Sequence, residues 1–184
     1  MKFRNWIILA AAIYTIGFIF GLVVHSSWLN SQIQDLANSA SQARTLSTFG
    51  LFLFILRNNL TSLLISFVLG PVLLIFPVLS LFENGAILSL VGLDVTRSVS
   101  VWVFLAGILP HGIIELPAFV IGAAASMSFS FTLLRAILNK GHRPEIESSF
   151  RQNLMWLGIA GLMLVPAAFI EAFITPLAIK AAGG

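Results

Sequence analysis

The sequence predicts an all-α fold, a polytopic bundle of about five transmembrane helices, some of them broken or re-entrant. Three observations lead there. Hydrophobic residues make up 58% of the chain and charged residues only 9%, whereas a soluble domain keeps roughly a quarter of its residues charged to cover its surface. Several apolar runs approach or exceed the ~18 residues that cross a bilayer as helix. None of these runs alternates as a barrel strand does, and an open sheet would leave backbone groups unpaired in lipid.

The elements follow in order. The first run, 6–24, comes after Lys2 and Arg4, and the positive-inside rule puts that amino terminus in the cytoplasm. Trp6 and Trp28 flank it at headgroup level. The run exceeds the usual apolar core of a signal peptide and Val24-His25-Ser26 is a poor cleavage site, so it reads as a retained span. Next comes "HSSWLNSQIQDLANSASQARTLST", in which Leu29, Ile33, Leu36, Ala40 and Ala43 form an apolar helical stripe. It belongs to an extracytoplasmic segment, 25–57, that closes with "FGLFLFIL", too short to cross and read as interfacial or re-entrant.

The second span is expected at 60–82. Asn58 and Asn59 are placed to cap its start, and Gly70-Pro71 to kink or break it. Glu83-Asn84-Gly85 reads as a turn. The apolar stretch that follows is too long for one straight span and carries Pro110 and Gly112 in its middle. It is divided into an irregular crossing at 86–109 and a helix at 112–134. A basic loop holding Arg135, Lys140, Arg143 and Arg151 precedes the last span, 154–176. An even number of crossings then separates the two basic regions, with the carboxyl terminus outside. The whole chain, 1–184, reads as a single multi-pass domain of the cell membrane.

Function must come from the few polar residues. His111, Glu115, Ala118, Gly122, Ser126 and Ser130 fall on one helical face, with Gly112 and Pro117 beside them. An ionised group facing hydrocarbon costs a few kcal/mol or more, so His111 and Glu115 should turn inward and pair. The small residues below them suit close helix packing, as do Gly17 and Gly21 in the first span. With Asn58, Asn59, Glu83, Asn84 and Glu171, the His–Glu pair is expected to form a buried polar network at a helix break. Glu171 is expected either to snorkel to water at the interface or to pair with Arg57 or Arg97. A metal site needs three or more ligands, and one i, i+4 pair does not make one. No metal or other cofactor is therefore assigned.

Other classes are disfavoured. The chain has no cysteine, which excludes thiolate chemistry, and no hydrolase, P-loop or dinucleotide motif occurs. The excess of ten Lys and Arg over seven Asp and Glu is small and scattered, which argues against nucleic acid. Besides the bilayer, the expected partners are a second copy of the chain, a dimer in the simplest case, and other membrane or cell-envelope proteins.

Four motifs add to this. "RNNL" at 57–60, the Gly-Pro interruption, "ENG" at 83–85 and "PHGIIELPA" at 110–118 resemble the stage II sporulation protein M family, over roughly residues 45 to 175. The resemblance implies a five-span membrane protein and points to Asn58, Asn59, Asn84, Gly85, Pro110, His111, Gly112, Glu115 and Pro117 as its motif residues. In spore formers the family member is a scaffold that assembles with two cell-wall hydrolases during engulfment and has no known catalytic activity. A non-enzymatic scaffold is the leading functional expectation. A small channel or transporter using the broken helices and Glu115 is the alternative.

Overall fold

The structure is a computed structural model that describes residues 2–23, 34, 45–71 and 75–184. Among the described residues six α-helices follow in order: α1 (Phe3–Val23), α2 (Thr48–Leu69), α3 (Ile75–Ser98), α4 (Val101–Leu138), α5 (Glu145–Phe173) and α6 (Thr175–Ala181). The first five are long and apolar enough to cross a membrane. A 3-10 turn, Lys140–His142, joins α4 to α5. The expected amphipathic stripe from Leu29 to Ala43 lies outside the described residues, as do 72–74.

The long helix α4 is the centre of the bundle and packs against each of the other five; α1 packs chiefly on α3, and α2 on α5. Partner positions reveal the helix directions. Gly17 and Gly21 of α1 meet Phe82 and Ala86 of α3, so these two helices run parallel. Ser66 of α2 meets Ser126 of α4, and further along Gly70 meets Ser130, so this pair is parallel as well. The rings of Trp6 and Phe131, 5.4 Å apart, place the start of α1 beside the end of α4. Successive long helices therefore alternate in direction, as five crossings require.

Small side chains make this approach possible. Ala10, Ala118, Ala124, Ala160 and Ala168 have no exposed surface. In lipid, where burial of apolar groups gains little, close backbone contact is what holds helices together. Large apolar side chains such as Ile8, Val68 and Leu162 point outward instead, where hydrocarbon is their natural solvent.

The helix boundaries correct the sequence expectations in five places. First, "FGLFLFIL" is not a separate interfacial piece. Ser47 caps α2, its Oγ accepting from the Gly50 N–H at 3.1 Å, and the helix runs through Arg57-Asn58-Asn59 to Leu69. Arg57 and Asn58 are exposed and Asn59 is buried, so neither asparagine caps a helix. Second, the span expected at 60–82 is two helices, because the chain turns at Gly70-Pro71. Third, Glu83-Asn84-Gly85 is inside α3 and not a turn. Asn84 donates to the Ser80 carbonyl of its own helix at 2.7 Å, and Gly85 is used for contact: a Cβ there would meet the Tyr14 carbonyl and the Phe18 nitrogen of α1.

Fourth, 86–109 and 112–134 are not two crossings. The break falls at Val99-Ser100, where Ser100 Oγ accepts from the Val103 N–H at 3.1 Å and starts α4. That helix is continuous for 38 residues with Pro110 and Pro117 inside it, so Pro110, Gly112 and Pro117 mark no break. Each proline removes one backbone bond, a loss that surrounding helices and local adjustment accommodate in membrane proteins. At about 57 Å, α4 is nearly twice as long as the hydrocarbon is thick. Fifth, the last span begins earlier than 154, at Glu145, with Arg151 donating to Glu147 at 2.8 Å on its first turns. Five crossings survive these changes because one helix was gained before Gly70 and one lost after Ser98.

Candidate functional site

Two helices bring three ionisable groups together at one level of the bundle. His111 and Glu115 are one turn apart on the inward face of α4. Glu171 comes from the last turn of α5. One ligand atom from each of the three lies within 4.8 Å of the other two. Counting back along α4 from Arg135, or forward along α5 from Arg151, the carboxylates sit about 20 residues on, roughly 30 Å of helix. The cluster therefore lies near the far boundary of the hydrocarbon from the α4–α5 loop.

The surroundings hold these groups in place. His111 is only 9% exposed, and its Nδ1 lies 3.2 Å from the hydroxyl of Thr175, the first residue of α6. Asn59 of α2 donates from Nδ2 to Oε1 of Glu115 at 3.1 Å. The other carboxylate oxygen, Oε2, is fully buried and accepts no hydrogen bond among the described residues. It lies 3.9 Å from Nε2 of His111, beyond hydrogen-bond reach. Glu115 also lies within electrostatic range of Glu171 and of Tyr14 on α1.

Glu171 makes no ion pair with Arg57 or Arg97 among the described residues; burial inside the bundle takes it to His111 and Glu115 instead. Two carboxylates this close, away from water, need a proton or a cation between them. The expected polar network divides accordingly. His111, Glu115, Asn59 and Glu171 form the cluster, while Asn58, Glu83 and Asn84 line a cleft of about 440 Å³ between α2 and α3. Thr61, Ser62 and Ser80 add to its polar wall.

Below the cluster, the small stripe of α4 meets its neighbours. Ala118 is fully buried. A Cβ on Gly122 would collide with Leu63 of α2 and touch Ala160 of α5. Ser126 donates to the Ser66 carbonyl at 2.6 Å, and Ser130 to that of Ser126 at 2.7 Å. Gly17 and Gly21 are likewise occupied within the chain, against α3. Thr175 is the site residue that the sequence did not single out. Its only signal was its place before Pro176, which starts a helix.

Comparison with known proteins places the chain. It is 29% identical over 174 residues to an uncharacterised protein of Methanocaldococcus jannaschii, covering 92% of this chain and 93% of that protein. A second uncharacterised protein of the same organism is 29% identical over 127 residues, covering 68% of this chain and 56% of that one. No solved structure matches. The family model described as stage II sporulation protein M matches residues 10–176. Five membrane-length helices, with the motif residues His111 and Glu115 at their core, belong to a member of the stage II sporulation protein M family.

Proposed function

We propose that this integral membrane protein binds a cation in the cluster of His111, Glu115 and Glu171 and passes it across the bilayer. The observation that carries the reading is the convergence of three ionisable side chains from α4 and α5 within 4.8 Å. Such groups are costly in a membrane interior, and where they occur together they usually line an ion or proton path. The polar cleft between α2 and α3 supports the reading, because Asn58 lines it while the adjacent Asn59 holds Glu115. The test is flux in proteoliposomes, measured for protons, monovalent and divalent cations in turn. At least one should cross, and Glu115→Gln should stop it. No flux of any ion with the folded protein overturns the reading.

A second reading, a homo-oligomeric scaffold in the cell membrane, is favoured by that same cleft. A groove lined by Asn58, Glu83 and Asn84 is expensive to leave against lipid, and a second copy could cover it. The native chain has no cysteine, so a single Ser80→Cys variant reports on this directly. Disulfide-linked dimers after oxidation in membranes support the reading, and their absence counts against a dimer through the cleft. In either case the positive-inside rule favours a cytoplasmic amino terminus and an external carboxyl terminus.

A further inference from the structure

We infer that the cluster is a binding site for one divalent first-row transition-metal ion of the zinc class, held by Nε2 of His111 and the carboxylates of Glu115 and Glu171. The inference rests on the cluster being the functional centre and names the ion it takes.

The hydrogen bonds around the cluster distinguish a metal site from a mere polar network. In a network that satisfies itself, the histidine and the carboxylates bond to one another. Here His111 and Glu115 bond outward. Thr175 takes up Nδ1 of His111 at 3.2 Å. With Nδ1 as the donor, Nε2 carries its lone pair toward Glu115. Asn59 takes up Oε1 of Glu115 at 3.1 Å, leaving Oε2 buried and without a hydrogen bond among the described residues. The two free atoms then face each other across 3.9 Å, with a Glu171 oxygen within 4.8 Å of His111 and Glu115 ligand atoms. Metal sites are wired in this way: the atom of each ligand that does not bind the ion is held by an outer partner that fixes tautomer and orientation. Two ligand atoms at about 2.0 Å from a tetrahedral ion stand roughly 3.3 Å apart, so small closing movements would complete the site.

Charge and ligand type select the ion. Two carboxylates neutralise a dication, so that neither the carboxylates nor the ion remains an uncompensated charge inside the bundle. A monovalent cation would leave one negative charge over. Calcium takes about six to eight oxygen ligands, and magnesium prefers oxygen ligands and keeps its waters. An imidazole beside two carboxylates suits zinc and its neighbours in the first row. Three protein ligands leave a fourth position for water or for an exchanging ligand.

The test uses the full chain, purified in detergent through a tag without histidine and stripped with a chelator. Zinc is added alone and counted per chain, and cobalt is added separately to read coordination from its absorption. The expected result is one zinc per chain and a four-coordinate cobalt spectrum. His111→Ala and Glu171→Gln should each weaken binding at least tenfold. Asn59→Leu, which touches only the outer partner of Glu115, should weaken it by about 10–100-fold. Glu147→Gln, exposed on the first turn of α5 and far from the cluster, should bind as the wild type does. Substoichiometric zinc in folded wild type overturns the inference, and so does stoichiometric zinc that Glu171→Gln leaves unchanged. If a variant fails to fold, the wild-type stoichiometry and cobalt spectrum still decide. Zinc that binds while no proton, monovalent or divalent cation crosses proteoliposomes leaves this site standing and removes the transport reading. Proton or monovalent flux without metal binding does the reverse.

Discussion

Gly122 is where α2, α4 and α5 converge, and its missing side chain is what lets them do so. A leucine there would have to displace Leu63 and then Ala160. Overpacking of this kind costs about 1–3 kcal/mol in a close-packed interior, sometimes more. Gly122→Leu should therefore lower the thermal unfolding temperature in detergent sharply. Ser126→Ala removes a single hydrogen bond to the Ser66 carbonyl and should cost only about 0.6 kcal/mol, the average for such bonds between membrane helices. Equal losses for the two variants would show that the stripe is not a packing seam. At this scale the sequence was partly readable. The cost of charge in lipid and the i, i+4 spacing were enough to turn His111 and Glu115 inward. Glu171 was legible as a member of the polar network, but its place directly against His111 and Glu115 was not, because it comes from another helix through tertiary packing. Asn59 looked like a cap because a polar pair before an apolar run usually is one; only the presence of Glu115 across the interface makes it a mid-helix donor.

Among elements, the α1–α3 interface shows what a glycine means in an apolar helix. Gly17, Gly21 and Gly85 each hold backbone against backbone, so an added Cβ has no flexible neighbour to push aside at Gly17 or Gly85. Gly158 of α5 has nothing within 4 Å. Gly85→Leu should separate α1 from α3 and destabilise the bundle, whereas Gly158→Leu should be neutral or slightly stabilising through better helix propensity. Thermal unfolding of both variants checks this, and a destabilised Gly158→Leu with an unaffected Gly85→Leu would contradict the packing described. The same residue explains a misreading. Asn84-Gly85 is a strong turn signal in water, where Asn and Gly favour turns and hairpins; inside a membrane helix the glycine serves contact and the asparagine bonds back to its own turn. Gly70-Pro71 was legible as a break because proline after glycine removes a donor where the chain is already loose. The break at Ser100 was masked by the louder Pro110, which the bundle tolerates within α4.

For the whole molecule, five alternating helices put the two ends of the chain on opposite sides of the membrane. Lys2, Arg4, Arg135, Lys140, Arg143 and Arg151 gather at one side, since α1 begins where α4 ends. Arg97 ends α3 and Lys180 lies in α6, both on the other side. On the orientation proposed above, which the positive-inside rule favours, the first side is the cytoplasmic one. That assignment has a consequence for function, because the cluster of His111, Glu115 and Glu171 would lie just beneath the external face, roofed by Thr175 at the start of α6. A cation from outside would meet the site early and still have most of the bilayer to cross. With no native cysteine, single substitutions at the exposed Ser148 and Ala181 can be labelled with a membrane-impermeant maleimide. Ala181→Cys should react in intact cells, and Ser148→Cys only after permeabilisation. The reverse pattern would invert the molecule and bring the cluster to the cytoplasmic face, so that export and not uptake became the natural direction. Reaction of both in intact cells would mean that α5 does not cross, and the cluster would then no longer lie within a five-crossing bundle.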